Sequence, residues 1–211
     1  MLFRSASKTG RAAKLCYDRD QDMIITGKRH DFRIDYRVGF DGDGRIQGVE
    51  FDQAVRCGMS YDLSVPICDR AMFHADNTYY LANARITSYR CKTNTVSNTA
   101  FRGFGGPQGM IGIERVIDEI AHFLGKDPLA VRRANCYDPQ GAVDERSVTP
   151  YDMTVKDCII DDLVEELRKT ADYDQRRADI RTWNRASGIL KRGIALTPVK
   201  FGISFTLTFL N

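Results

Sequence analysis

Polar and apolar residues alternate most strictly between residues 34 and 40, where Ile34, Tyr36, Val38 and Phe40 are separated by charged or small residues. A period of two belongs to a strand with one face on a core. Asp41-Gly42-Asp43-Gly44 supplies turn chemistry and Ile46 to Val55 resumes extended character, which predicts a β-hairpin. Upstream, Leu15-Cys16-Tyr17 and Met23-Ile24-Ile25 are short apolar stretches split by Asp18-Arg19-Asp20, and both read as strand-like. Ile86 to Cys91 predicts another strand, reached through a polar loop around Asn77.

The period changes after Pro107. Met110, Ile113, Ile117, Ile120, Ala121 and Leu124 repeat at steps of three and four, and Gly125 closes the helix they predict. Asp127 as N-cap and Pro128 at the first helical position open a short helix through Asn135. Thr154 with Asp157 resembles a capping box and predicts a helix carrying Val155, Ile159, Ile160, Leu163, Val164 and Leu167. A charged helical segment follows from Asp174 to Arg185, ending at Gly188. Ile194 to Val199 and Ile203 to Phe209 read as two extended stretches. The second runs almost to Asn211, and an apolar strand there without sheet partners reads as cut off. The expected fold class is α+β, one unit over 1–211. Strands and loops dominate 1–106, helices dominate 107–188, and strands return to a sheet over 189–211.

Composition narrows the class without naming a function. The 31 basic and 28 acidic residues are scattered, with only short clusters such as Lys28-Arg29-His30, so no nucleic-acid-binding stripe is expected. No apolar run approaches ~18 residues, so no membrane span is expected, and Met1-Leu2-Phe3-Arg4 lacks a secretion-signal layout. Six widely spaced cysteines form no CxxC pair, which favours reduced, packed thiols and a cytoplasmic location.

The chemistry concentrates in Thr99-Ala100-Phe101-Arg102-Gly103-Phe104-Gly105-Gly106-Pro107-Gln108-Gly109, leading into the first helix after Pro107. Glycines at 103, 105 and 106 permit positive φ and close backbone approach to a ligand. A helix N-terminus beyond them offers free N–H groups to an anion. From the glycines alone, a tight strand-to-helix turn competes equally with this reading, and neither nucleotide-binding fingerprint is present. His30, His74 and His122 are isolated and read as structural.

The segment Phe101 to Gln108 resembles the substrate-side loop of the molybdenum hydroxylases, and of the xanthine dehydrogenase branch in particular. Five other stretches resemble that family in the same order: Asp18–Met23 with Ile25–His30, Arg70–Asn77, Cys91–Asn94, Val131–Asn135, and Pro198–Phe205. The resemblance implies an internal piece of the molybdopterin-binding part of such an enzyme. It places Arg102 against the molybdenum centre through its backbone N–H, with Gly103 as a further cofactor contact. It also implies that Phe104 stacks on a purine ring, and that Arg70 hydrogen-bonds the substrate and opposes charge developing on it. Read from the sequence alone, Arg70 is a surface ion-pair residue.

Aldehyde oxidases typically lack this arginine, so its presence favours hydroxylation of hypoxanthine and xanthine over aldehydes. No catalytic residue is expected within the chain, because the family's general-base glutamate would fall beyond Asn211 and a substrate-binding glutamate before Met1. The implied cofactor is molybdenum–molybdopterin, with [2Fe-2S] clusters and FAD on other portions of a parent that is expected to be a homodimer. The rival readings are an aldehyde-oxidase-type enzyme and a non-enzymatic truncated remnant. By itself the chain is expected to be inactive.

Overall fold

A computed structural model describes residues 2–138, 140 and 144–202. The expected hairpin forms: β1 (Phe32–Phe40) pairs antiparallel with β2 (Ile46–Gly58), from Phe32 opposite Val55 to Phe40 opposite Ile46. Along β1, Ile34, Tyr36, Val38 and Phe40 are the half-buried positions, and the charged residues between them face out. β3 (Ala84–Lys92) lies on the other side of β2 and runs parallel to it, from Val49 opposite Ala84 to Gly58 opposite Lys92. Parallel neighbours need a crossover connection. Here it is α3 (Ser64–Phe73), which carries Arg70. Nothing in the sequence pattern predicted this helix, because Pro66 and the polar residues around it hide the short stripe of Ile67 and Ala71.

The helix after the glycine loop, α4 (Gly106–Leu124), lies across the sheet and ends at Gly125 with φ +63°. Ile113, Val116, Ile117 and Ile120 are essentially inaccessible and pack with Phe51, Tyr79 and Val131 into the main core. Next comes α5 (Pro128–Asn135), where the Asp127 carboxylate accepts from the Leu129 N–H at 2.8 Å, the cap expected from the sequence. A buried polar network pins these helices together. Glu114 of α4 takes both Nε and Nη2 of Arg132, at 2.9 and 2.7 Å, and also accepts from the Tyr79 hydroxyl and the Asn77 amide.

Four expectations on the periphery give way, the first being Leu15-Cys16-Tyr17, which lies in an irregular stretch ahead of Arg19 because Asp18 already caps the helix that follows. Met23, Ile24 and Ile25 belong to a helix, α2 (Arg19–Ile25), which follows α1 (Leu2–Thr9). The reason is local: the Asp18 carboxylate accepts from the Gln21 N–H at 2.8 Å and the Gln21 side chain accepts back from the Asp18 N–H, a complete capping box.

The helix expected from Thr154 begins instead at Ile160, as α6 (Ile160–Thr170), followed by α7 (Tyr173–Ala186). Thr154 is held in a bridge with Val148, and Asp157 has φ +51°, so neither can cap a helix there. A 3-10 turn, Asp144–Ser147, lies between α5 and α6.

Finally, Ile194 to Val199 makes no strand. Leu196 is buried against Leu129, Val164 and Tyr173, and Asn77 holds the backbone by accepting from Lys200 N and donating to Pro198 O, both at 2.9 Å. Side chains anchor that segment where a ladder was expected. The stretch Ile203 to Phe209 lies outside the described residues.

Candidate functional site

The loop before α4 is a pair of overlapping turns. Phe104 N–H donates to Phe101 O at 2.8 Å and Gly106 N–H to Gly103 O at 3.0 Å. Gly103, Phe104 and Gly105 all have positive φ, at +89°, +49° and +94°. A left-handed Phe costs about 1–2 kcal/mol, so surrounding contacts must enforce it.

The residues that follow Phe104 pack directly on α3. A methyl group at Gly105 would sit 2.0 Å from the Ile67 carbonyl oxygen, and one at Gly109 would sit 2.1 Å from the Ala71 carbonyl oxygen. The glycines therefore let two backbones touch, which differs from the ligand approach their spacing suggested. The contact brings α3, which carries Arg70, against the loop and the start of α4.

Arg70 is 7% exposed. Its guanidinium lies 4.7 Å from the Phe201 ring centroid, Nη2 donates to Gly202 O at 2.5 Å, and the buried Nε has no partner among the described residues. The surface ion-pair reading of this residue is excluded by its burial. The Phe201 ring also reaches the start of α4, where a methyl at Gly106 would lie 2.6 Å from it. Arg70 thus packs on Phe201, which in turn packs on the start of α4. Phe104 is half-buried, while Phe101 and Arg102 are exposed.

His74 completes the floor. Its Nδ1–H donates to Arg70 O at 3.1 Å, and its ring lies 5.2 Å from that of Phe201. Burial, helped by the Arg70 and Lys200 charges, pushes its pKa down to about 4. A histidine with a depressed folded pKa stabilises the fold fully above its ordinary value. That stability is lost as pH falls from about 6.5 towards 4. In urea titrations, His74→Gln should flatten the fall in stability across that window. An equally steep slope in the variant would assign the pH dependence elsewhere.

Whether the loop suits a molybdopterin can be tested on its peptide groups. Among the described residues, none accepts from the N–H of Arg102 or Gly103, whereas the carbonyls of Phe101 and Arg102 are both occupied, by Phe104 N–H and Arg29 Nη2. Two free donors side by side, ahead of a helix with no acidic residue in its first turn, fit an electron-rich, anionic group. Among the described residues no cluster of His, Cys, Asp or Glu could itself hold a metal. Cys68 and Cys136 are buried, and burial pushes both thiols up to about 12, so neither is a thiolate ligand.

Comparison with known proteins gives the class. A family model described as the molybdopterin cofactor-binding domain matches residues 1–136, and the chain belongs to that family of oxidoreductases, the molybdenum hydroxylases. It is similar to xanthine dehydrogenase 1 of Arabidopsis thaliana, 43% identical over 95% of this chain and 14% of the relative. Xanthine dehydrogenase/oxidase of Mus musculus is 42% identical over 98% of this chain and 15% of that protein. The chain thus spans about 15% of the length of the curated relatives it matches. Among solved structures, the aldehyde oxidoreductase from Desulfovibrio desulfuricans superposes with a TM-score of 0.73 at 27% identity, over 85% of this chain and 19% of that one. CO dehydrogenase from Oligotropha carboxidovorans, at 19% identity and TM-score 0.70, shares the fold over 81% of this chain and 21% of that one. No described helix is long and apolar enough to cross a membrane.

Proposed function

We propose that this chain forms one wall of the substrate site of a purine-hydroxylating molybdenum enzyme. The observation that carries the reading is Arg70, a buried guanidinium whose Nε has no partner among the described residues and which packs on Phe201 beside the start of α4. When bound, molybdenum–molybdopterin supplies the oxidation and oxygen transfer. The N–H groups of Arg102 and Gly103 face it, and Phe104 offers its ring to the face of the purine. Arg70 hydrogen-bonds a substrate oxygen and opposes negative charge spreading into the heterocycle. A fixed guanidinium in a dry site does this without reorganising. The general base, the iron–sulfur clusters and the FAD belong to other portions of the parent, which we place in the cytoplasm as a homodimer.

A second reading, aldehyde oxidation, is favoured by the 27% identity to the Desulfovibrio aldehyde oxidoreductase. A chimera separates the two. This chain would replace the corresponding stretch of the Arabidopsis xanthine dehydrogenase 1. The expected result is molybdenum retained by elemental analysis and xanthine converted to urate, while the 211-residue chain alone forms no urate. Retained molybdenum with aldehyde oxidation but no urate would assign the wall to aldehydes. Loss of molybdenum would reject the wall itself.

A further inference from the structure

The orientation of one peptide group decides whether the glycine loop can present Gly103 N–H outwards. We infer that Arg29 is the positioning residue that fixes it. The inference rests on the proposal above that this N–H faces the cofactor.

Arg29 Nη2 donates to the carbonyl oxygen of Arg102 at 2.6 Å, and the same guanidinium lies 4.4 Å from the centroid of the Phe101 ring. A hydrogen bond and a stack together fix both the direction and the plane of the group. The base it reaches from is itself held. Lys28 O accepts from Thr99 N at 3.0 Å, His30 O accepts from the Gln108 side chain at 3.1 Å, and the buried His30 ring bonds Ser64 Oγ at 2.7 Å. Gly27 runs so close to the chain after β3 that a methyl there would lie 2.3 Å from Ser97 O. Arg29 therefore springs from a segment bonded to the strand-to-loop connection, to α3 and to α4 at once.

The consequence follows from peptide geometry. The bond between Arg102 and Gly103 is trans, so the Arg102 carbonyl and the Gly103 N–H point in opposite directions. Holding the carbonyl towards Arg29 turns the N–H to the opposite side of the peptide plane. The preceding peptide is locked by the turn itself, since Phe101 O accepts from Phe104 N–H and Arg102 N–H must point outwards. No turn bond holds the second peptide, and glycine at 103 permits either sign of φ, so this plane can flip. Arg29 selects one of the two states. The sequence showed it as part of a short basic cluster within the Ile25–His30 stretch, with no role of its own.

The test is amide hydrogen exchange on the 211-residue chain, comparing wild type with Arg29→Met and Arg29→Lys. Arg29→Met should speed exchange at Phe104 and Gly106 roughly tenfold or more, as expected from losing one charge-assisted bond, while Ile113 to Ile117 of α4 keep their rates. Arg29→Lys retains a cationic donor without the planar fork and should recover part of the protection. Unchanged loop exchange in Arg29→Met, uniform acceleration throughout α4, or no recovery by lysine would each overturn the clamp.

A second measurement, the molybdenum content of the chimera carrying Arg29→Met, separates the clamp from the reading beneath it. A severalfold loss of molybdenum with the fold intact supports positioning for the cofactor. A loosened loop with full molybdenum would remove Gly103 N–H from the cofactor and overturn the positioning role, while the clamp would stand.

Discussion

Arg70→Met in the chimera should lower kcat/KM for xanthine about a hundredfold while leaving turnover of a simple aromatic aldehyde nearly unchanged. The magnitude is that of one donor aimed at developing charge in a water-excluded site, ~3 kcal/mol. Methionine is the informative replacement because the space beside Phe201 is apolar on one side. Its unbranched chain keeps that packing and removes only the fork. An aldehyde has no distant oxygen for the guanidinium to hold, so little transition-state stabilisation is lost there. Phe104→Ala should behave differently, since a stacking face serves both kinds of ring and both activities should fall together. The deciding quantity is the ratio of the two kcat/KM values in each variant. A ratio that Arg70→Met leaves unchanged would return Arg70 to a structural role, tying α3 to the Phe201–Gly202 segment through the bond to Gly202 O.

The second large effect is on stability. Gly109→Ala should destabilise the chain by about 3 kcal/mol or more, the upper end of what overpacking usually costs. The added methyl would stand 2.1 Å from Ala71 O and 3.2 Å from Ala75 N, and both are backbone atoms of a packed segment that cannot rotate aside. Either α3 and α4 separate or the α4 N-terminus unwinds. Gly112→Ala is the control, one turn further along the same helix. The atoms nearest its methyl belong to the Ile34 and Phe51 side chains, Ile34 Cδ1 coming first at 3.2 Å, and the gain in helix propensity of up to about 1 kcal/mol offsets the crowding. Urea midpoints at constant slope would give the ranking, and the Tm of the chimera should follow the same order. If Gly109→Ala matches Gly112→Ala, the close contact between α3 and α4 that carries Arg70 to the loop is not present in solution.

The parts legible in the sequence are those whose cause is local. The alternation from Ile34 to Phe40 gives β1, the three-and-four spacing gives α4, and Asp127-Pro128 gives the start of α5, because strand, helix and cap are each set by neighbours within a few residues. The glycine loop stood out for the same reason. Reading fails where a residue's partner is far along the chain. Thr154 has a capping residue's chemistry, but its backbone is bridged to Val148. Ile194 to Val199 has a strand's composition, but Asn77 and the core around Leu129 hold it as an irregular segment. Met23 to Ile25 went astray through the weight given to apolar content over the Asp18–Gln21 box, which is itself local.

The site divides along the same line. That residues 101–109 form a turn into a helix was determined by the sequence alone, because glycine and proline restrict the backbone wherever they stand. That Arg70 is buried on a helix packed against this loop was decided only by the tertiary structure. The contact depends on two backbones meeting at Gly105 and Gly109, across more than thirty residues from α3. The same holds for Arg29, whose side chain meets Arg102 O from 73 positions away. Local propensity sets which peptide groups can bend, and long-range packing sets which of them are bent and towards what.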